Sequence, residues 1–326
     1  MNAASAAEGN PINSLRGSSN RNRASDRQAT APLPKKVFAL PLLCLCVLAV
    51  ACSAPAQTSD LRHPVDPKSL IWSDEFNGPA QSQPDPANWT YDTGKNGWGN
   101  QELETYCAWA ANAAPCNPAT PNAYIGGDGY LHIVARDLGK GVYTSARLKT
   151  QGLQSFKYGR IEARIKIPEG QGIWPAFWML GDNIATVPWP ASGEIDIMEN
   201  IGKEPSIAHS SLHMAGGDLT GKVTLPNAEK LASAFHIYGM IWTPVRIQFY
   251  LDTPANTYAT FTPANLPSTA KWPFDGGKFF FLLNVAVGGS WPGNPDATIG
   301  FPQEMLVDYV RVYREPGPSL RWPPLP

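Results

Sequence analysis

A chain of 326 residues with 43% hydrophobic content can bury a full core, and its net charge of −1 lacks the basic excess expected of a general nucleic-acid binder. Charged residues make up only 16%, whereas glycine (29) and proline (32) are frequent, which points to many turns and few exposed helices.

Residues 1–34 are rich in Ala, Ser, Asn and Arg without an apolar period, and are expected to be a disordered or mis-predicted extension that carries no chemistry. Lys35-Lys36 and the apolar run from Val37 to Ala51 have the form of a secretory signal within residues 35–56, too short for a membrane span. Two exits compete. Ala54-Pro55-Ala56 has the small-x-small form of a cleavage site, whereas Ala49-Val50-Ala51-Cys52 resembles a lipoprotein box with Leu48 one place early, so that Cys52 would carry a lipid anchor. Either way the domain is exported, as a cell-surface or outer-membrane lipoprotein or a secreted or periplasmic protein. Residues 57–68 read as a linker, 69–315 as one large domain expected to be a monomer, and 316–326 as a Pro-rich tail.

Beyond the signal region only Cys107 and Cys116 remain, and an even pair in an oxidising compartment is expected to form a disulfide, with two free thiols as the alternative. Tyr158 to Ile167 alternates, with Ile161, Ala163, Ile165 and Ile167 on one face and Arg160, Glu162, Arg164 and Lys166 on the other. Val245, Ile247, Phe249 and Leu251 alternate likewise, and Phe279 to Val287 is almost continuously apolar, as for a strand covered on both faces. Leu225 to Phe235 is the one stretch that suggests a short helix. Short strands separated by Pro/Gly turns predict an antiparallel β-sandwich.

The densest chemistry lies in Gly193-Glu194-Ile195-Asp196-Ile197-Met198-Glu199-Asn200. Strand alternation puts Glu194 and Asp196 on one face, but gives Glu199 the parity of the isoleucines and would bury its charge. One extra residue, a β-bulge near Ile197-Met198, returns Glu199 to the acidic face. Three carboxylates held close push their pKa values apart and so separate an acid from a base. Glycoside cleavage with retention needs such a pair, roughly 5–5.5 Å apart. A solvated acidic edge strand is the alternative reading.

Before this strand, Trp174, Ala176 and Trp178 share a face opposite Phe177 and Met179. Aromatic rings suit the C–H face of a pyranose, although either tryptophan could equally pack in a core. After it, His209, Ser211 and His213 share one parity. No further histidine stands at metal-site spacing, which argues against a catalytic zinc.

The acidic stretch and Gly172-Ile173-Trp174-Pro175-Ala176-Phe177-Trp178-Met179-Leu180 together resemble glycoside hydrolase family 16, laminarinase-type. The resemblance runs from Ile71 to Tyr313, beginning at Trp72-Ser73-Asp74-Glu75-Phe76-Asn77-Gly78. It continues through Asn100-Gln101-Glu102-Leu103-Glu104-Thr105-Tyr106, Leu283-Asn284-Val285-Ala286-Val287-Gly288-Gly289 and Val307-Asp308-Tyr309-Val310-Arg311-Val312-Tyr313. It implies an all-β jelly-roll sandwich of two curved antiparallel sheets with an open concave groove. It also implies a retaining endo-hydrolase of β-1,3 linkages in a β-glucan polysaccharide, with Glu194 as nucleophile, Glu199 as general acid/base and Asp196 tuning the nucleophile.

Trp174, Trp178 and His213 would line the subsites beside the cleaved bond, and Asn96, Arg147 and Trp291 would meet glucan further along. No cofactor is required for catalysis. The resemblance also implies a structural calcium (Ca2+) at Glu75 and Asp308; independently, Asp308 shares parity with Val310 and Val312, and an acid on an apolar face needs a partner. Salt bridges or backbone hydrogen bonds would serve equally. A galactanase or transglycosylase of the same family, or a lectin-like module that binds glucan without cleaving it, stays open as an alternative. Tyr106 to Tyr124, with the cysteine pair, departs from the family pattern as an insertion expected at the groove rim.

Overall fold

The structure, a computed structural model, describes residues 62–314. The expected extension, the signal with its two exits, Cys52 and the Pro-rich tail lie outside the described residues.

Side-chain alternation builds the sandwich. The strands in chain order are β1 (Leu70–Asp74), β2 (Thr90–Asp92), β3 (Glu104–Tyr106), β4 (Ala123–Ile125), β5 (Leu131–Asp137), β6 (Tyr143–Ser145), β7 (Arg147–Lys149), β8 (Gly159–Lys166) and β9 (Ile173–Gly181). They continue as β10 (Glu194–Glu199), β11 (Ile207–Met214), β12 (Gly217–Thr224), β13 (His236–Thr243), β14 (Arg246–Leu251), β15 (Thr257–Phe261), β16 (Phe279–Val287) and β17 (Gln303–Tyr313). One sheet has ten strands, with the path β15-β14-β13-β8-β17-β5-β6-β3 and with β1 on β17 and β4 on β5. The other has seven, in the order β12-β11-β10-β9-β16-β7-β2. All pairs are antiparallel except β3 with β6, the jelly-roll sandwich that the alternating segments foretell.

Between the sheets lie Ile161, Ala163 and Ile165 of β8, Phe177 and Met179 of β9, Ile195 and Ile197 of β10, and Phe281, Leu283 and Val285 of β16, all fully buried. Each such aliphatic or aromatic side chain contributes about 1.5–3 kcal/mol by leaving water. Every residue of β16 is buried, as its unbroken apolar run requires. This strand runs beside β9 in register from Phe279↔Gly181 to Val287↔Ile173, so the groove floor rests on the centre of the core.

Three expectations are corrected. Among the described residues no α-helix forms: Leu225 to Phe235 holds two short 3-10 turns, Pro226–Ala228 and Leu231–Ser233, because Pro226 and the extended residues between them stop propagation. Val245 is 67% exposed in the two-residue turn of the β13–β14 hairpin rather than in a strand, since Thr243 pairs with Arg246. Residues 62–68, expected as linker, include docked side chains: Arg62 reaches Glu75 and Asp308, and buried His63 meets Glu162 through Nδ1 at 3.1 Å. That docking explains why the charged face of β8 is buried. Glu162 is also bonded by Arg160 and by the Tyr250 hydroxyl at 2.7 Å.

The two acids expected as calcium ligands are likewise held by guanidinium groups. Glu75 accepts from Arg311 Nε at 2.8 Å and from Arg311 Nη2 at 2.7 Å, and Asp308 accepts from Arg164 Nη1 at 2.9 Å. Burial would raise the Glu75 carboxyl, yet the hydrogen bonds and charge of Arg311 hold it below its ordinary range. A bidentate arginine fork uses the oxygens that calcium would need, so this donor set does not fit the ion.

Candidate active site

The site is organised by the register of β10. Glu194 lies opposite His213, Asp196 opposite Ser211 and Glu199 opposite His209, so three steps on β10 span two on β11. On the other side Asp196 pairs with Trp178 and Met198 with Phe177, two steps against one. The bulge thus falls at Ile197-Met198, where the sequence requires it, and both of these side chains are fully buried in the core. Gly193, just before the strand, has φ +83°, and a Cβ there would meet Pro273 Cγ at 2.8 Å, so this turn admits only glycine.

All three acids line one cleft of about 640 Å³, together with Trp174, Trp178, His213, Arg147 and Trp291. Trp174 donates its indole N–H to Glu199 Oε1 at 3.1 Å. His213 faces Asp196 Oδ2 through Nε2 at 3.1 Å and Asp218 through Nδ1 at 2.9 Å. Arg147 lies over the rings of Trp98 (4.9 Å) and Trp178 (4.6 Å), while its Nε is 3.0 Å from Asp92 Oδ2. Trp291 meets Trp174 edge-on at 5.3 Å and His209 at 5.1 Å, which closes the other end of the aromatic lining.

Burial dominates the electrostatics. It pushes Glu194 up to about 8, reinforced by the charge of Asp196 and opposed by His213 and by a hydrogen bond from Trp189. Asp196 is also pushed up to about 8, first by burial, with its hydrogen bond to Glu194 acting the other way. Glu199 is raised well above the usual carboxyl range by burial and by the charges of Asp196 and Glu194, which the Trp174 bond only partly offsets. A hydrogen bond between two carboxyl groups needs a proton, so Glu194 and Asp196 share one near neutral pH. The cleft therefore holds two protons on three acids, one on Glu199 and one shared by Glu194 and Asp196, which leaves a single carboxylate.

Asn96 does not line this cleft. Its Oδ1 accepts from the Trp98 amide at 3.0 Å and caps the turn that presents Trp98. Glu75 and Asp308 belong to the arginine cluster, and Cys107–Cys116 is a disulfide. Sequence reasoning missed Trp98, Trp189, Asp218 and Asn284, which all line the cleft. Asn284 carried a signal, being the only polar residue in the apolar run of β16. Trp189, 54% exposed in a Pro-rich turn, carried another, since a large exposed ring beside an acidic strand has little structural reason to be there.

Residues 115–311 match the glycosyl hydrolases family 16. A Beta-glucanase from Rhodothermus marinus is 40% identical over 75% of this chain and 85% of its own length. The endo-beta-1,3-glucanase of Pyrococcus furiosus superposes with TM-score 0.66 at 43% identity, over 75% of this chain and 94% of its own. The laminarinase catalytic domain of Thermotoga maritima gives TM-score 0.66 at 38% identity, over 76% and 98%. Family match, relatives and bulged acidic strand agree, and this chain belongs to glycosyl hydrolases family 16.

Proposed function

We propose that this glycoside hydrolase is an endo-acting β-1,3-glucanase that cleaves laminarin-like glucans with retention of anomeric configuration. The observation that carries the reading is the bulged strand that turns Glu194, Asp196 and Glu199 into one aromatic cleft. The relatives named above act on β-1,3-glucan or carry the name beta-glucanase.

In the first step Asp196 holds the shared proton, and the ionised Glu194 attacks the anomeric carbon. The glycosidic C–O bond breaks as Glu199 gives its proton to the leaving oxygen, and a glycosyl ester forms on Glu194. In the second step Glu199, now a carboxylate, takes a proton from water; the hydroxyl attacks the anomeric carbon and Glu194 leaves. Trp174 steadies the Glu199 charge that appears between the steps, and His213 with Asp218 fixes Asp196. Trp178 and Trp291 offer ring faces to the sugar chain. The Cys107–Cys116 disulfide supports work outside the cytoplasm, whether the export signal is cleaved or Cys52 is lipidated.

The test is release of reducing sugar by the purified protein from laminarin, curdlan, mixed-linkage glucan, agarose and carrageenan side by side. Activity on the first two, with none on the galactans, is expected. Binding to a glucan without release from any of the five would favour a lectin-like module and overturn this reading.

A further inference from the structure

At the edge of the groove lies a second carboxyl pair that the proposed chemistry does not use, with Glu102 on the cleft wall and Glu104 behind it. Glu102, Glu104 and Tyr106 share one parity on and just before β3, and they are 6%, 0% and 0% exposed. Glu104 Oε2 accepts from the Val287 amide at 2.7 Å, and among the described residues no N–H or O–H group donates to Oε1. Glu102 accepts from Asn100 Nδ2 at 3.2 Å through Oε1 and from the Tyr106 hydroxyl at 2.8 Å through Oε2. The same hydroxyl accepts from Asn284 Nδ2 at 3.1 Å, and Asn284 Oδ1 accepts from the Trp178 indole at 2.7 Å. The chain of bonds thus starts at two buried acids and ends on a tryptophan of the cleft. Arg147 and Trp98, against which Trp178 and Tyr106 pack, are tied to the same chain.

We propose that Glu104, kept as a neutral carboxylic acid, is a positioning residue for glucan: it donates its proton to Glu102 and so holds the Tyr106–Asn284 pair that orients Trp178. An ionised Glu104 would set a fully buried carboxylate beside that of Glu102, with an oxygen that no donor among the described residues reaches, and would drive Glu102 off Tyr106. Burial, then the charge of Glu102 and hydrogen bonding to it, raise Glu104 well above the usual carboxyl range. The charges that act on the cluster come from Glu102 and Glu104 before and on β3 and from Arg147 on β7. In this arrangement Glu104 touches neither sugar nor the reacting atoms. It acts through Trp178, and ionising it at alkaline pH weakens glucan binding before it affects the chemical step.

The inference rests on the reading that Trp178 meets sugar, and its test separates the two. Binding of a β-1,3-linked glucopentaose is measured by calorimetry from pH 6 to pH 10 in a Glu194→Ala background, which does not hydrolyse it, with position 104 wild type, Glu104→Gln or Glu104→Leu; the Trp178 indole N–H is followed by NMR in each, and kcat is measured separately with Glu194 intact. Glutamine can donate to Glu102 and accept from Val287 at every pH, so Glu104→Gln is expected to bind like the wild type at pH 6 and to weaken less than it at alkaline pH, the remaining change coming from the cleft acids that both share. Leucine is expected to raise Kd about tenfold at every pH, with kcat on an aryl glycoside within about twofold, and to move the indole resonance. Equal binding by all three, or equal loss in both variants, would overturn the proposal. If the wild type binds no pentaose, the glucanase reading fails instead, and the indole resonance alone decides: movement in Glu104→Leu but not Glu104→Gln upholds the brace, and no movement in either refutes it.

Discussion

Glu194 and Glu199 are five steps apart on β10, and their partners on β11, His213 and His209, are four apart. That one-residue excess turns both glutamates to the same face. Deleting Met198 should remove the bulge yet keep Glu199 on the face of Glu194 and Asp196, because it then stands four steps, an even number, from Glu194. A folded deletion variant is expected to retain activity, with stability lower by about 2–5 kcal/mol from the lost buried side chain. Activity at background in a variant that circular dichroism shows to be folded would mean that the bulge does more than set the parity of Glu199.

Trp174 donates to Glu199, and phenylalanine removes that donor while keeping a ring against Trp291. With the bond gone, burial and the neighbouring acids raise the Glu199 pKa further. The alkaline limb of the pH–rate profile is therefore expected to move upward in Trp174→Phe, with kcat reduced roughly tenfold because the carboxylate between the two steps loses a charge-assisted bond. A profile identical to the wild type would show the contact to be packing alone.

Removing one acid should trade activity for stability. Glu194 and Asp196 have folded-state pKa values of about 8, well above their unfolded ones, so the folded protein holds more protons across that interval. Stability accordingly falls as pH rises from about 4 to about 8. Asp196→Asn is expected to melt higher than the wild type at pH 8, by about 2–3 kcal/mol, with the gain vanishing near pH 4. Without the Asp196 charge, Glu194 ionises more readily, so the acid limb of the rate profile should move down. Calorimetric melts across pH settle the sign.

The arginine clasp predicts indifference to chelators. Because Arg311 holds Glu75 and Arg164 holds Asp308, EDTA should leave Tm unchanged. Arg311→Leu should cost about 2–4 kcal/mol, below the full penalty for an orphaned buried charge because Glu75 is 25% exposed. A fall in Tm on chelation, reversed by calcium, would contradict this arrangement.

Local periodicity made much of this legible. The parity of Glu194, Asp196 and Glu199 demanded the bulge, and the parity of Trp174 and Trp178 put both on the cleft. The same rule showed that Asp308 needed a partner. It could not name Arg164, which lies 144 residues away on β8, nor show that Arg311 would claim Glu75 from 236 residues off. Partners brought together by sheet pairing leave no local trace. The helix expected over Leu225 to Phe235 failed for the opposite reason, since tertiary packing and Pro226 overrode a weak local pattern. The parity of Glu102, Glu104 and Tyr106 was open to reading, but what they hold, Asn284 and Trp178, comes from two other strands.

The assignment of roles to Glu194 and Glu199 is tested most directly by azide rescue of their alanine variants on an activated aryl β-1,3-glucobioside, with the product configuration read by NMR. Azide entering the space left by Glu194→Ala attacks from the nucleophile's side and should give the α-glycosyl azide. In Glu199→Ala the ester on Glu194 still forms, and azide should give the β-glycosyl azide. That pair of products is the predicted result; the reverse pair, or wild-type turnover by either variant without azide, would contradict the account.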